Sequence, residues 1–153
     1  MSGYEAVPPS GLGGGGMIDP GSNYSSLEVS NEAISRCLGK EIRCVDLDER
    51  TNEIRIWFYD GPVLVIRDAG QSCCEHRYIS TDDCVDEIYG DLISIDTVPV
   101  ETVERGSFDV QECVFLKLVT NNGTSTFKCY NLHNGYYGGF DIEAIVYERV
   151  YHD

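Results

Sequence analysis

From residue 41 onward, apolar runs of strand length are separated by short turn sequences. The run Glu53–Tyr59 alternates strictly, with two isoleucines and Phe58 on one face, and a period of two is typical of a half-buried β-strand. Asn121-Asn122-Gly123 is a strong hairpin signal, because Asn and Gly tolerate the left-handed backbone that tight turns require. The pattern predicts a sheet built mainly from hairpins.

Seven runs are predicted to be strands: Glu41–Leu47, Glu53–Tyr59, Val63–Arg67, Leu92–Val100, Gln111–Thr120, Thr124–Tyr130 and Phe140–Tyr151. Two short helices are also expected. The first runs from a Ser30 N-cap to Gly39, and the second runs from Thr81 to about Gly90, with acidic residues at the positive end of its dipole. The predicted fold class is α+β: mainly an antiparallel curved sheet or small open barrel of six to seven strands with two short helices, plus an extended N-terminal arm.

Residues 1–26 differ in composition from the rest of the chain. They contain seven Gly and three Pro but no Lys or Arg. Such a segment buries too little apolar surface to offset the entropy that ordering it costs. We therefore predict an extended arm over residues 1–26 and a single globular domain over residues 27–153. The candidate docking contacts of the arm are its larger apolar side chains: Tyr4, Val7, Leu12, Met17, Ile18 and Tyr24.

The charge balance argues against two classes of partner. The chain carries 11 Lys and Arg against 26 Asp and Glu, a formal net charge of −15. Proteins that track a nucleic-acid backbone need a basic footprint, and anionic lipid surfaces also attract basic segments. No apolar run approaches the roughly 20 residues that a membrane helix needs. We expect neither a nucleic-acid partner nor a membrane partner.

The cysteines indicate a reducing environment. There are seven of them, an odd number that cannot all pair within one chain. The first 17 residues lack a basic start and an apolar stretch, so no signal peptide is expected. Several cysteines lie in or beside apolar runs, where a reduced thiol packs as a small hydrophobe. The pattern favours synthesis in an intracellular compartment.

Two segments between the predicted strands, residues 70–83 and 131–140, concentrate polar, aromatic and titratable residues. Loops that a rigid sheet holds in place often carry binding residues. Tyr and Asn on a Gly-shaped loop give contact area at low entropy cost, and Arg can pair with a carboxylate or bind an anion. The candidate ligand- or partner-binding residues are Cys73, Cys74, Glu75, His76, Arg77, Tyr78, His133, Asn134, Tyr136 and Tyr137.

The sequence QSCCEHRY, followed by TDD and later by HNGYYGGF, resembles a small domain family of unassigned function that occurs in bacteriophage and bacterial proteins. The resemblance covers residues 40–147 and leaves the arm outside. It implies a phage-related origin. The family has no established activity, so the resemblance assigns no catalytic residue.

The cysteines and histidines of the two segments raise two chemical hypotheses. Structural zinc sites use Cys pairs that are two to four residues apart, whereas Cys73 and Cys74 are adjacent, so no metal or other cofactor is expected. Cys73 or Cys74 with His133 and Asn134 could form a Cys–His–Asn nucleophile system. Acidic neighbours such as Glu75 would raise the pKa of such a thiol. We therefore expect that the chain is not an enzyme.

The first functional hypothesis is a non-enzymatic, partner-binding protein of a phage. Its most specific form is a virion structural component, such as a head-decoration or head-associated protein, which attaches to a coat or other virion protein through its arm. It would be made in the host cytoplasm, reside in the virion, and be homo-oligomeric or ordered by the capsid. The alternative is a soluble phage accessory protein of the host cytoplasm that binds a small ligand or a host defence factor through residues 70–83 and 131–140. A second alternative is an enzyme that uses Cys73 or Cys74 with His133.

Overall fold

The computed structural model describes residues 31–70, 75–99, 102–104, 110–135 and 138–148. The described chain begins in a short helix, α1 (Asn31–Ser35), and Gly39 then adopts a left-handed backbone with φ of 83° that ends the helical turn. Nine strands follow: β1 (Glu41–Asp48), β2 (Glu53–Phe58), β3 (Val63–Asp68), β4 (His76–Ser80), β5 (Gly90–Pro99), β6 (Val103–Glu104), β7 (Val110–Thr120), β8 (Gly123–His133) and β9 (Ile142–Tyr147).

The strands form one open antiparallel sheet in the order β4-β8-β7-β5-β1-β2-β3-β9, and β6 pairs with the start of β7. β5 joins the two halves of the sheet, because its first residues pair with β1 and the rest of the strand pairs with β7. β7 and β8 form a hairpin that extends from Val110 opposite His133 to Thr120 opposite Gly123. The turn of this hairpin is the Asn121-Asn122 pair that the sequence indicated.

Burial along the strands follows the period of two. In β2 the inward side chains are Ile54, Ile56 and Phe58, and all three are completely buried. They belong to one apolar core that includes Leu116 of β7 and Phe127 of β8. Full burial of such a side chain stabilises the fold by about 1.5–3 kcal/mol. The shared core therefore holds the two halves of the sheet against each other.

A turn residue covers the free edge of β4, which pairs with β8 at one end of the strand order. Asn52, in the turn between β1 and β2, donates its Nδ2 to the carbonyl oxygen of Arg77 (2.9 Å), and its Oδ1 accepts from the amide of Ile79 (3.2 Å). The side-chain amide thus bonds to β4 as a neighbouring strand would. These two bonds hold β4, the strand at one edge of the sheet, against the β1–β2 turn.

β7 defines two ends of the sheet. The first residues of β7, the ends of β3 and β8, and the starts of β4 and β9 form what we call the loop end. The last residues of β7, the end of β2, and the starts of β1, β5 and β8 form the hairpin end. A strand of 11 residues is roughly 35 Å long. The two ends are therefore separate surfaces.

The α+β class predicted from the sequence is wrong. Helical structure in the described ranges consists of α1 and a three-residue 3₁₀ helix, Val85–Glu87, and the strands number nine rather than six or seven. The expected second helix does not form, because its acidic start bonds across to β8. Asp83 Oδ2 accepts from the amide of Thr126 (2.7 Å), and Asp82 forms an ion pair with Lys128. The β-rich character expected from the hairpin pattern is confirmed.

The predicted arm, residues 1–26, lies outside the described residues, and so do its candidate docking side chains: Tyr4, Val7, Leu12, Met17, Ile18 and Tyr24. The domain boundary at residue 27 stays a prediction. In the part of the chain that the structure describes, no helix has the length and apolar character needed to cross a membrane.

Candidate functional site at the loop end

The two polar segments chosen from the sequence meet at the loop end. The first segment contains the five residues of β4, and the first three residues of the second segment complete β8. These strands pair directly, with Arg77 opposite Asn131 and Tyr78 opposite Tyr130. The segments are therefore brought together by backbone pairing.

Arg77 is at the centre of a buried ionic network, since only 4% of its side chain is exposed. Its Nη1 donates to Asp68 Oδ1 at the end of β3 (2.9 Å), and its Nη2 donates to both carboxylate oxygens of Glu75 (3.3 and 3.0 Å). The side chains of Asp68 and Glu75 are as deeply buried as the guanidinium. Charges with so little solvent are tolerated when they are paired and hydrogen-bonded.

Asn131 extends the network from the first segment to the second. Its side chain is completely buried, and its Nδ2 donates to Glu75 Oε2 (2.7 Å) and to the carbonyl oxygen of Gly139 (2.9 Å). Gly139 in turn donates its amide to Glu112 Oε1 on β7 (3.1 Å). One chain of hydrogen bonds thus runs from the end of β3 to the loop that precedes β9.

His133 completes the network in a defined tautomer. Its Nδ1 accepts a hydrogen bond from the amide of Gly135 (3.0 Å) and so carries no proton in this arrangement. The proton of the neutral ring is then on Nε2, which donates to Glu112 Oε1. Both ring nitrogens are engaged within the fold, and neither is available as a base toward a bound substrate. We call Asp68, Glu75, Arg77, Glu112, Asn131 and His133 the loop-end network.

Two glycines allow the backbone to lie close against this network. A Cβ at Gly70 would be 2.2 Å from Arg77 Nη1, and a Cβ at Gly138 would be 2.6 Å from Glu112 Oε1. Neither charged group can move aside easily, because each is buried in close-packed surroundings and held by hydrogen bonds. Packing therefore favours Gly at one position in each polar segment.

The loop-end network contains more acidic than basic groups. The three carboxylates of Asp68, Glu75 and Glu112 are accompanied by the guanidinium of Arg77 and the ring of His133. Burial raises the pKa of Asp68, although Arg77 and the backbone amides that bond to Asp68 act in the opposite direction. Because Arg77 is shared with Glu75, its charge only partly offsets the burial of Asp68.

Four buried polar atoms of the network have no hydrogen-bond partner among the described residues: Asp68 Oδ2, Arg77 Nε, Glu112 Oε2 and Asn131 Oδ1. An unsatisfied buried polar atom costs free energy, so each such atom in a folded protein calls for an explanation. The loop end thus retains hydrogen-bonding capacity that the described residues do not use.

The site has no metal-binding geometry in the described ranges, where no group of three His, Cys, Asp or Glu is arranged to hold an ion. The buried cysteines are weak nucleophiles near neutral pH. Burial raises the pKa of Cys37 to about 11, and it also raises the pKa of Cys113 and of Cys129. These three buried thiols therefore supply little of the reactive thiolate form.

Three of the sequence-derived candidates are near the surface of the loop end. The rings of His76 and Tyr78 on β4 are 5.2 Å apart, and Tyr78 stacks on Tyr130 of β8 at 4.8 Å. His76 is exposed, Tyr78 is half-buried, and Asn134 is half-buried just beyond the end of β8. These are the described candidates that a partner can reach.

The other candidates divide into two groups. The side chains of Glu75, Arg77 and His133 are buried in the loop-end network and support the scaffold from within. The remaining four candidates lie outside the described residues: Cys73, Cys74, Tyr136 and Tyr137.

Three members of the network were not among the site residues predicted from the sequence: Asp68, Glu112 and Asn131. The alternation of inward and outward side chains along a strand, which we call strand parity, could have identified two of them. Glu112 has the same parity as the buried Val114 in β7, and Asn131 has the same parity as the buried Cys129 in β8. A polar residue at an inward strand position needs a buried partner. This signal depends on knowing which face of each strand points inward.

Residues 35–142 match a family described as a domain of unknown function, DUF7448. The match covers more than half of the chain, which therefore belongs to this family. The expectation of a family without an assigned function is confirmed, and its phage-related origin stays an expectation. No curated protein and no solved structure matches the chain.

Proposed function

We propose that the chain is a non-enzymatic binding protein that recognises another protein through the loop end of its sheet. One observation carries the proposal: a single buried network, from Asp68 to His133, joins both polar segments. Buried ion pairs add little stability compared with apolar residues of similar size. We infer that the network is positional, because it fixes two adjoining segments on a rigid sheet, as a recognition surface requires.

The non-enzymatic part of the proposal is supported by the state of His133 and of the three buried cysteines among the described residues. Both nitrogens of His133 are engaged within the fold, so it is not poised to accept a proton from a substrate. Burial raises the pKa of the thiols of Cys37, Cys113 and Cys129 and thereby disfavours their reactive thiolate form.

Affinity capture with the full chain tests this proposal in extracts of the organism that encodes it. His76→Ala removes an exposed ring at the loop end, and Lys117→Ala removes a long side chain from the middle of β7 as a control. We expect that the wild type and Lys117→Ala capture the same protein equally well. His76→Ala should capture about tenfold less of it, as is common when a contact residue is truncated.

Equal capture by His76→Ala and Lys117→Ala would show that the loop end is not the recognition surface. Circular dichroism and thermal unfolding of each variant serve as the check on folding. Because His76 is exposed, its replacement is expected to change stability by less than about 0.5 kcal/mol.

A more specific proposal adds a second attachment: the chain is a virion structural component that docks on a coat protein through residues 1–26. This version rests on the resemblance to phage proteins and on the composition of the arm. Mass spectrometry of purified particles, with the chain quantified against the major coat protein, tests it. Many copies per particle that disappear on deletion of residues 1–26 would support it, and absence from the particle would overturn it.

A second candidate function is the capture of a small polar ligand at the loop end. The four unsatisfied buried atoms of the network favour it, because a ligand or ordered water could complete their hydrogen bonds. A ligand that binds the folded state raises Tm. A thermal-shift screen with nucleotides and metabolites tests this candidate, and an unchanged Tm across the panel would count against it.

A further inference from the structure

Exposed apolar side chains of the described residues gather at the hairpin end. Four of the five large ones are here: Leu38, Tyr59, Tyr89 and Ile93. Tyr59 and Tyr89 are 62% and 63% exposed, and Ile93 is 53% exposed. Single exposed apolar residues are ordinary, whereas a group of them marks an interaction surface.

Backbone pairing places one of these side chains, Tyr59, in an outward-facing region beside two acidic residues. Glu41 lies opposite Asp91 in the β1–β5 ladder, and the amide of Tyr59 donates to the carbonyl oxygen of Glu41 (3.1 Å). The next pair along the ladder, Ile42 and Gly90, is buried. Because successive side chains of a strand point to opposite faces, Glu41, Asp91 and Tyr59 form an outward row.

The remaining apolar side chains adjoin this row. Tyr89 directly precedes Gly90, and Ile93 is the extra residue where the β5–β7 register shifts between Leu92 and Ser94. The turn that carries Leu38 bonds to the same part of β5, because the amide of Gly39 donates to the carbonyl oxygen of Leu92 (2.8 Å). We call the whole group the β1–β5 face: Leu38, Glu41, Tyr59, Tyr89, Asp91 and Ile93.

The centre of the β1–β5 face carries two unpaired negative charges. Glu41 and Asp91 are both exposed, and neither forms an ion pair with any residue that the structure describes. Like charges directly opposite each other in a ladder destabilise the sheet. A basic group placed between these two carboxylates would turn the repulsion into attraction.

A cavity of about 140 Å³ adjoins the face at Tyr89. Glu87 is one of its lining residues and has no ion-pair partner within the described ranges. The β7–β8 hairpin contributes four residues with hydroxyl or amide side chains to the same lining: Thr120, Asn122, Thr124 and Ser125. Oxygen acceptors around one carboxylate suit a Lys ammonium or an Arg guanidinium.

We propose that the β1–β5 face binds a segment of another protein that carries both basic and apolar side chains. One Lys or Arg of this segment enters the cavity at Glu87, and a second lies between Glu41 and Asp91. Apolar side chains of the segment pack on Tyr59 on one side of this pair and on Ile93 on the other. Charge opposes a second copy of the chain as the occupant, because the copy would bring the same acidic row and a net charge of −15.

This surface is distinct from the loop end, because the two lie at opposite ends of β7. The inference therefore stands independently of the proposed function. A partner that binds the loop end and a partner that binds the β1–β5 face could occupy the chain at the same time.

Two synthetic peptides, titrated into the full chain and followed by amide chemical shifts, test the proposal. Gly-Lys-Leu-Lys-Phe-Lys-Gly carries both the basic and the apolar features, whereas Gly-Lys-Ser-Lys-Ser-Lys-Gly carries the same charge without apolar side chains. We expect shifts at Tyr59, Tyr89 and Ile93 with the first peptide. The second should bind about tenfold more weakly, since it buries less apolar surface.

Matched substitutions separate a specific site from general attraction to an acidic protein. Glu87→Gln removes the carboxylate of the cavity and should weaken binding of the apolar peptide about tenfold. Ile93→Ser should weaken it by a similar factor. Glu49→Gln is the control, because it makes the same chemical change in the exposed β1–β2 turn, away from the face.

Three outcomes would overturn the proposal. Equal weakening by Glu87→Gln and Glu49→Gln would indicate diffuse electrostatic attraction. Equal affinity for the two peptides would show that the apolar side chains make no contact. A dimer in sedimentation equilibrium that Tyr59→Ser converts to a monomer would show that a second copy occupies the face.

Discussion

Individual polar side chains at the loop end connect segments of the chain, including β3 and β4, which do not pair with each other through their backbones. Asp68 Oδ1 accepts from Arg77 Nη1 and from the amides of Asp141 (2.8 Å) and Gly70 (3.3 Å). One carboxylate thus links the end of β3 with β4 and with the start of β9. Asn52, with φ of 54°, links the β1–β2 turn to β4 in the same way.

The contribution of Asn52 can be measured with Asn52→Gly. Gly suits the left-handed backbone of this position but lacks both side-chain hydrogen bonds to β4. Each lost bond costs about 1 kcal/mol, so urea denaturation should show an unfolding free energy lower by about 2 kcal/mol. Asn52→Asp should be at least as destabilising, because it sets a carboxylate against the carbonyl oxygen of Arg77. Wild-type stability in Asn52→Gly would show that the edge of β4 is held by other contacts.

Asp68 should make stability depend on pH in a defined direction. Burial raises the pKa of Asp68 in the folded chain above its ordinary value of 3.8, so the folded state binds this proton more tightly than the unfolded state does. The contribution of this proton to the free energy of unfolding is fully present below pH 3.8. It is lost as pH rises through the pKa of Asp68 in the folded chain.

Urea denaturation of the wild type and Asp68→Asn across this pH range measures the effect. The unfolding free energy of the wild type, relative to that of Asp68→Asn, should fall as pH rises above about 3.8. A relative stability that rises over the same range would mean that the charge of Arg77 outweighs the burial of Asp68.

Among the elements, β2, with its regular alternation, was predictable from the sequence, whereas β4 was not. β2 presents three apolar residues to the core, and its bounds were close to those expected. β4 was missed because one of its inward residues is Arg77, which breaks the apolar pattern. The expected helix after Thr81 was wrong because Asp83 bonds to Thr126 of β8, a contact between residues far apart in sequence. Local propensity cannot supply such a partner.

The close approach of Gly70, just after β3, to Arg77 of β4 predicts a loss of stability when Gly70 is replaced. Gly70→Ala should displace the Arg77 guanidinium from Asp68 and lower the unfolding free energy by about 3 kcal/mol, as is typical when a buried ion pair is broken. Gly39→Ala is the control: a Cβ there has open space, and only the left-handed backbone costs about 1 kcal/mol. Chemical denaturation that shows equal losses for the two variants would contradict the close approach at Gly70.

Across the whole molecule, the sheet separates a loop end with buried charges from a hairpin end with exposed apolar and acidic side chains. The sequence located the first region, because polar residues cluster in residues 70–83 and 131–140. It did not reveal that Glu75, Arg77 and His133 would be buried, because their burial depends on the pairing of β4 with β8 and of β8 with β7. The β1–β5 face was also not predictable, since its residues come together only when β1 pairs with β5.

The most direct test of a single loop-end network is amide-resolved hydrogen exchange of Arg77→Met under native conditions. We predict faster exchange at both Asp141 and Gly139, although these amides bond to the carboxylates of Asp68 and Glu112 on different strands. Exchange at Leu116, in the core, reports global opening. Arg55→Met changes a partly exposed Arg on β2 and should leave both loop-end amides unchanged.

The decisive comparison is between the two loop-end amides once global opening has been accounted for. Faster exchange at Asp141 and Gly139 together would show that Arg77 positions both polar segments through one network. Faster exchange at Asp141 with wild-type exchange at Gly139 would show two independent clusters, and it would contradict the proposal that the loop end is held as one recognition surface.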